Sequence, residues 1–386
     1  MSVLTAKRLE TVQEYYFSKK LREVRELTLA GKPIINMAIG SPDLDPPATV
    51  INAITKAVTQ PGAHKYQSYQ GLPELREAIS SFYHEQYEVS VNPENEVLPL
   101  MGSKEGIMHI SLAYLNEGDQ VLIPNPGYPT YTSVTKLVGA EPIYYNLDAS
   151  SNWQPNIEAL EELDLSKVKL MWINYPHMPT GVNATDQMFK DLIAFAKKHH
   201  ILLINDNPYS FVLNNEPKSI LGYEGAKDVA IELNSLSKTF NMAGWRVGMV
   251  LGDSEKINAI LKVKSNMDSG MFQGLQRGAI EALKCGSEWF SKMNTIYAER
   301  RNLIWQLAES LGCSVNKEGV GMFVWAKLPN TISDAEAFID KILYEKSVFI
   351  TPGTIFGSQG KGYIRFSLCI EEDKIQESIE RLKDFV

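Results

Sequence analysis

Cysteine is scarce. Cys285, Cys313 and Cys369 are the only three in 386 residues, odd in number and widely spaced, so neither a disulfide framework nor a metal-binding pair is suggested. No metal site is expected, and the thiols fit a reducing compartment. Long apolar runs are missing too: no stretch approaches the roughly twenty residues needed to cross a bilayer. Residues 1–20 alternate charged and apolar side chains, without the apolar segment and small-residue cleavage site of a signal peptide. The expected location is the cytoplasm. Positive charge is in deficit, with 38 Lys and Arg against 46 Asp and Glu and a net charge of −8, which argues against a dedicated nucleic-acid surface. Repeats, low-complexity tracts and charge blocks are also lacking. What is present is the ordinary balance of a globular protein, 44% hydrophobic and 22% charged, in a chain long enough for about two to three domains.

Periodicity organises that chain. Apolar runs at Gln120–Ile123, Ile143–Leu147, Leu170–Ile173, Ile201–Ile204 and Val229–Leu233 are spaced by helical stretches such as Asp186–Lys198. This is the pattern of a mostly parallel sheet covered by helices on both faces, so the expected class is α/β. Shorter strands are expected at Ile34–Ile39 and Glu96–Leu100, and helices over residues 1–30, Thr49–Thr59 and Ile107–Leu115. A long helix at Glu288–Leu311 precedes strands near Met322–Ala326 and Tyr363–Leu368 and helices near Ser333–Glu345 and Glu372–Phe385. That mixture suits a smaller α+β domain. Several strand runs end in polar or proline-bearing turns, and parallel strands bring such ends to one edge, where small ligands bind.

One such turn is Ser235–Gly248, Ser-Leu-Ser-Lys-Thr-Phe-Asn-Met-Ala-Gly-Trp-Arg-Val-Gly. The hydroxyls of Ser235, Ser237 and Thr239, the Lys238 amine and the Arg246 guanidinium, crowded among glycines, form an anion cradle around a potential nucleophile. Neighbouring cations disfavour the ammonium form of Lys238 and so favour Schiff-base chemistry. An isolated Ser-Lys pair is usually a solvated surface feature; Arg246 and the glycines set this one apart. Upstream, Gly102-Ser103 turns a strand into a helix and so offers backbone N–H groups to a phosphate, although a lone Gly-Ser would read as a helix cap. Asp206, in Asn205-Asp-Asn-Pro-Tyr209, closes another run, and Arg365 has the planar fork that grips carboxylates.

The Ser235–Gly248 stretch resembles the lysine signature of the class I and II aminotransferases, pyridoxal-phosphate enzymes of fold type I. Motifs from Gly40 to Arg365 follow that family's order and spacing. The resemblance implies an arm and part of a small domain at 1–45, a large cofactor-binding domain at 46–287, and a linking helix with the small domain at 288–386. It implies pyridoxal 5′-phosphate as cofactor, with Lys238 as Schiff-base lysine and proton carrier, Asp206 on the ring nitrogen and Tyr209 on the phenolic oxygen. Gly102, Ser103, Lys104, Ser235, Ser237 and Arg246 would surround the phosphate end, with Tyr128 stacked on the ring and Asn174 beside it. Gly40 and Arg365 would face the substrate, Arg365 gripping its α-carboxylate. Tyr66, five residues before Gly71, would reach from one subunit of a homodimer to the phosphate of the other. The implied activity moves an amino group between an amino acid and a 2-oxo acid. Gly102–Ile107 and Lys264–Gln273 look most like the branch holding alanine and LL-diaminopimelate aminotransferases.

One departure stands out. Met178-Pro-Thr-Gly181 replaces the family's Asn-Pro-Thr-Gly, and a thioether cannot donate the hydrogen bond that the amide gives the phenolic oxygen. The bound cofactor is therefore expected to titrate at a higher pH than in relatives that keep the amide. Two other readings remain: a carbon–sulfur β-lyase on the same scaffold, and a cofactor-sensing transcription regulator. The regulator is disfavoured, because motifs beginning near Gly40 leave no room for a preceding DNA-binding domain.

Overall fold

The structure, a computed structural model, describes residues 3–10 and 16–385. Its centre is a seven-stranded sheet in the order Val97–Leu100, Gly248–Gly252, Ala230–Ser235, Leu202–Asp206, Val168–Ile173, Gln120–Asn125, Glu141–Asn146. Only Gly248–Gly252 runs against the other described strands of this sheet. The apolar runs therefore form the mostly parallel sheet expected of them. Their alternation explains why both faces are covered: Leu170 and Trp172 enter one buried cluster, Met171 and Ile173 the other. Successive strand residues point to opposite faces, so a strand apolar throughout needs cover on each side.

Local signals set the helix ends. Asp186–His199 starts behind Thr185, whose hydroxyl accepts from the Met188 N–H, and carries Lys197, Lys198 and His199 in its last turn, where cations suit the helix dipole. Pro73 opens the helix Pro73–Tyr87, a position where its missing N–H costs nothing.

A second sheet, in the order Thr351–Pro352, Tyr363–Ser367, Phe323–Lys327, Ser314–Val315, is antiparallel. It is followed by the helix Glu372–Leu382, which packs on the long helix Ser287–Ser310. The expected strand at Ile34–Ile39 shrinks to Ile35–Asn36, paired with Val348–Phe349. The expected helix over 1–30 is a short 3-10 turn at Lys7–Leu9 and a helix at Tyr16–Leu29, with 11–15 outside the described residues. The strand Gly248–Gly252 had no counterpart among the expected runs; its apolar residues follow directly on the Arg246 motif. The strand ends at Leu100, Asn125, Ile173, Asp206 and Ser235 share one edge of the large sheet, and that edge faces Arg365 on the smaller one.

Candidate active site

A cavity of about 560 Å³ opens at that edge. Its wall includes Gly40, Ser103, Lys104, Tyr128, Asn174, Asp206, Tyr209, Ser235, Ser237, Lys238, Arg246 and Arg365, so residues separated by more than 300 positions meet in one place. Gly102 lies just behind this wall. Tyr66 is apart from it, 90% exposed.

The phosphate-type end is built from two turns. Gly102 occupies the cap of the helix Ser103–Tyr114 with φ +92°, which glycine alone adopts cheaply. Having no side chain, it leaves the first-turn N–H groups uncapped. Ser103 is the first helical residue, not the cap, which removes the alternative reading of that serine. A Cβ on Gly102 would fall 2.2 Å from Arg246 Nη2, so the bare glycine is what lets the guanidinium lie against the turn. Ser235 caps the one-turn helix Leu236–Thr239 by accepting from the Ser237 N–H at 3.1 Å, and its hydroxyl meets Ser237 Oγ at 2.8 Å.

Lys238 leaves this turn and donates to the Gly40 carbonyl. Its ammonium pKa is lowered, first by burial and then by Arg365 and Arg246. Neighbouring cations alone were the sequence argument, and withdrawal from water is the larger cause.

Asp206 is 5% exposed. Tyr131 donates to its Oδ2 at 2.8 Å, while Oδ1 finds no hydrogen-bond partner among the described residues. Burial pushes its pKa up to about 7, opposed by the Tyr131 hydrogen bond and assisted by Glu232. Tyr131 was passed over in the sequence in favour of Tyr128, which meets it edge-on at 5.5 Å; Tyr131 stacks on Trp172 at 4.8 Å, 8° from parallel. Glu232 was missed as well. It accepts from Tyr83 Oη at 2.9 Å, Asn205 Nδ2 at 3.2 Å and the Ile220 N–H at 3.0 Å, and burial raises its pKa. A lone acid inside an apolar run was the signal that could have found it. Burial also raises the Tyr209 pKa, so its hydroxyl stays a donor.

Asn174 donates to the Asp206 carbonyl and accepts from the Met178 N–H at 3.0 Å. Its amide is thus engaged in joining two strand ends. Arg365 lies 6% exposed between Phe323, 3.9 Å from the ring centre, and Phe356, 4.7 Å away. Its Nη2 donates to the Ala38 carbonyl at 2.9 Å, and its Nη1 meets Met178 Sδ at 3.4 Å. Cys313 is buried and Cys285 and Cys369 are half-buried, all as free thiols.

The family model for aminotransferase class I and II matches residues 32–382. The chain is 39% identical over 382 residues to an LL-diaminopimelate aminotransferase of Dehalococcoides mccartyi and 40% identical over 380 residues to one of Maridesulfovibrio salexigens, covering 98% of each chain. Among solved structures, apo-BacF from Bacillus subtilis superposes with a TM-score of 0.95 at 36% identity, over 100% of this chain and 98% of that one. An aspartate aminotransferase from Thermotoga maritima superposes with a TM-score of 0.91 at 27% identity, over 99% of both.

Proposed function

The chain belongs to the class I and II aminotransferases, enzymes that move an amino group between an amino acid and a 2-oxo acid, and we propose the residues by which it does so. The family depends on pyridoxal phosphate, and the residues here fit that group. The observation that carries the reading is Asp206: a buried acid with one oxygen left without a partner among the described residues, in the same cavity as a lysine whose ammonium is disfavoured. A ring N–H⁺ is the partner such an oxygen calls for.

When bound, pyridoxal phosphate supplies an aldehyde that condenses with amines and a ring that accepts the electron pair released at the substrate's Cα. Ser103, Ser235, Ser237, Arg246 and Lys104 would hold its phosphate, helped by the uncapped N–H groups after Gly102. Asp206 would hold the proton on the ring nitrogen, steadied by Tyr131. Tyr209 would donate to the phenolic oxygen, and Tyr128 would cover the ring face. Lys238 would take the proton from the substrate's Cα and return it within the same half-reaction. Arg365 would orient the substrate by its carboxylate.

We propose with this a homodimer in the cytoplasm, Tyr66 serving the neighbouring site. The 90% exposure of that tyrosine in a single chain supports the trans role. The division into 1–45, 46–287 and 288–386 is proposed on similar grounds, supported by the pairing of Ile35–Asn36 with Val348–Phe349.

Amino-group transfer is favoured over the β-lyase alternative by the relatives' aminotransferase names. The test is an incubation of holoenzyme with amino donors, with and without a 2-oxo acid acceptor. Turnover that requires the acceptor is expected, whereas pyruvate and ammonia released from cysteine in its absence would overturn the assignment.

A further inference from the structure

This inference rests on the reading just given and names the substrate class of that same site. The charged side chains of the cavity wall are Lys104, Asp206, Lys238, Arg246 and Arg365. Four have partners under the proposed function: Lys104 and Arg246 the phosphate, Asp206 the ring nitrogen, Arg365 the α-carboxylate. Lys238 carries the proton. No acid and no further cation is left among the described wall residues to meet a second charged group on the substrate.

The described side chains packed on Arg365 are apolar. Phe323 and Phe356 flank the guanidinium, and Met178 presents its sulfur where the related motif carries an amide. Ile355 and Phe17 also line the cavity. Phe17 comes from the helix Tyr16–Leu29 and stacks on Phe349 at 6.4 Å, which adds an aromatic ring to the wall from the N-terminal side. The side chain proposed to enter from a second subunit, Tyr66, is likewise uncharged.

We infer that the amino acid handled here carries a large, uncharged, apolar side chain, aromatic or branched, packed against Phe17, Met178, Ile355 and Phe356. The relatives' named substrate, LL-diaminopimelate, has a second ammonium and a second carboxylate at its far end. Against this wall both would be desolvated without a partner, which is the costliest way to bury charge. Thioether and aromatic surfaces instead adapt closely to apolar groups.

The experiment is a donor panel on the holoenzyme, read as single-turnover absorbance change of the bound cofactor. Phenylalanine, leucine and methionine are expected to exceed LL-diaminopimelate and glutamate in kcat/KM by roughly a hundredfold, the scale set by leaving a charge unpaired. A binding readout free of turnover accompanies it: 3-phenylpropionate should bind the holoenzyme at least tenfold more tightly than glutarate in calorimetry. Ile355→Arg should reverse the order, gaining for glutamate and losing for phenylalanine. Should that variant fail to fold, the two wild-type comparisons decide alone. LL-diaminopimelate or glutamate as the best donor, or glutarate as the tighter ligand, overturns the inference while leaving amino transfer intact. A holoenzyme that reacts with no donor at all refutes the reading beneath it.

Discussion

Replacing Asp206 by Asn in the apoprotein should make the fold more stable and the enzyme inactive. Burial raises the Asp206 pKa from 3.8 to about 7. Between those values the folded state keeps a proton that the unfolded chain has released, so the acid's contribution is fully present at low pH. It is lost as pH rises through the folded pKa. At about 1.36 kcal/mol per unit, a shift of roughly three units is a penalty on the order of 4 kcal/mol above pH 7. Asn pays none of it and can still accept the Tyr131 hydrogen bond. Urea unfolding of the two apoproteins from pH 5 to pH 8 should therefore show the variant's advantage growing by about 2 to 3 kcal/mol. Saturating cofactor should shrink that advantage at pH 8, because the ring nitrogen supplies the missing cationic partner. A difference that stays constant across the range would mean that Asp206 is not held neutral by its burial, which would refute the role given to it.

Other consequences are as direct. Gly102→Ala places a methyl 2.2 Å from Arg246 Nη2 at φ +92°; apoprotein titration with pyridoxal phosphate should give a Kd about ten- to a hundredfold weaker, the loss of one charge-assisted hydrogen bond. Unchanged affinity would show that Arg246 takes no part in the cup. Met178→Asn should lower the pH midpoint of the bound cofactor's absorbance by about half a unit or more, since it adds a donor that the engaged Asn174 does not provide; a midpoint that stays put or rises counts against this. Mixing Tyr66→Phe with Lys238→Ala protomers should restore activity, because each mixed dimer then holds one site with both groups. Activity that remains at the level of Tyr66→Phe alone contradicts the trans role.

Much of this was legible in the sequence because it was local. Runs of four to six apolar residues announce buried strands, and Gly102-Ser103 and Ser235–Lys238 each hold their turn chemistry within a few positions. Asp206 and Arg365 could be named because each lies in a short motif that resembles the family's, Asn205–Tyr209 and Tyr363–Ser367. What escaped depended on partners distant in the chain. Tyr131 matters through Asp206, 75 residues away, and Glu232 through Tyr83, 149 residues away; in their own segments one is a helix aromatic and the other an odd acid in a strand. Phe17 lines the same cavity as Arg365, 348 positions further along the chain. The task of the Asn174 amide is likewise set by the Asp206 carbonyl, 32 residues away.

The central claim is that one amine, Lys238, carries the cofactor and the proton. Borohydride reduction of the holoenzyme followed by peptide mapping tests it most directly. The account predicts the reduced coenzyme attached to the peptide containing Lys238 and to no other lysine. Coenzyme fixed at Lys104 or elsewhere, or a protein that stays colourless with pyridoxal phosphate, would contradict it.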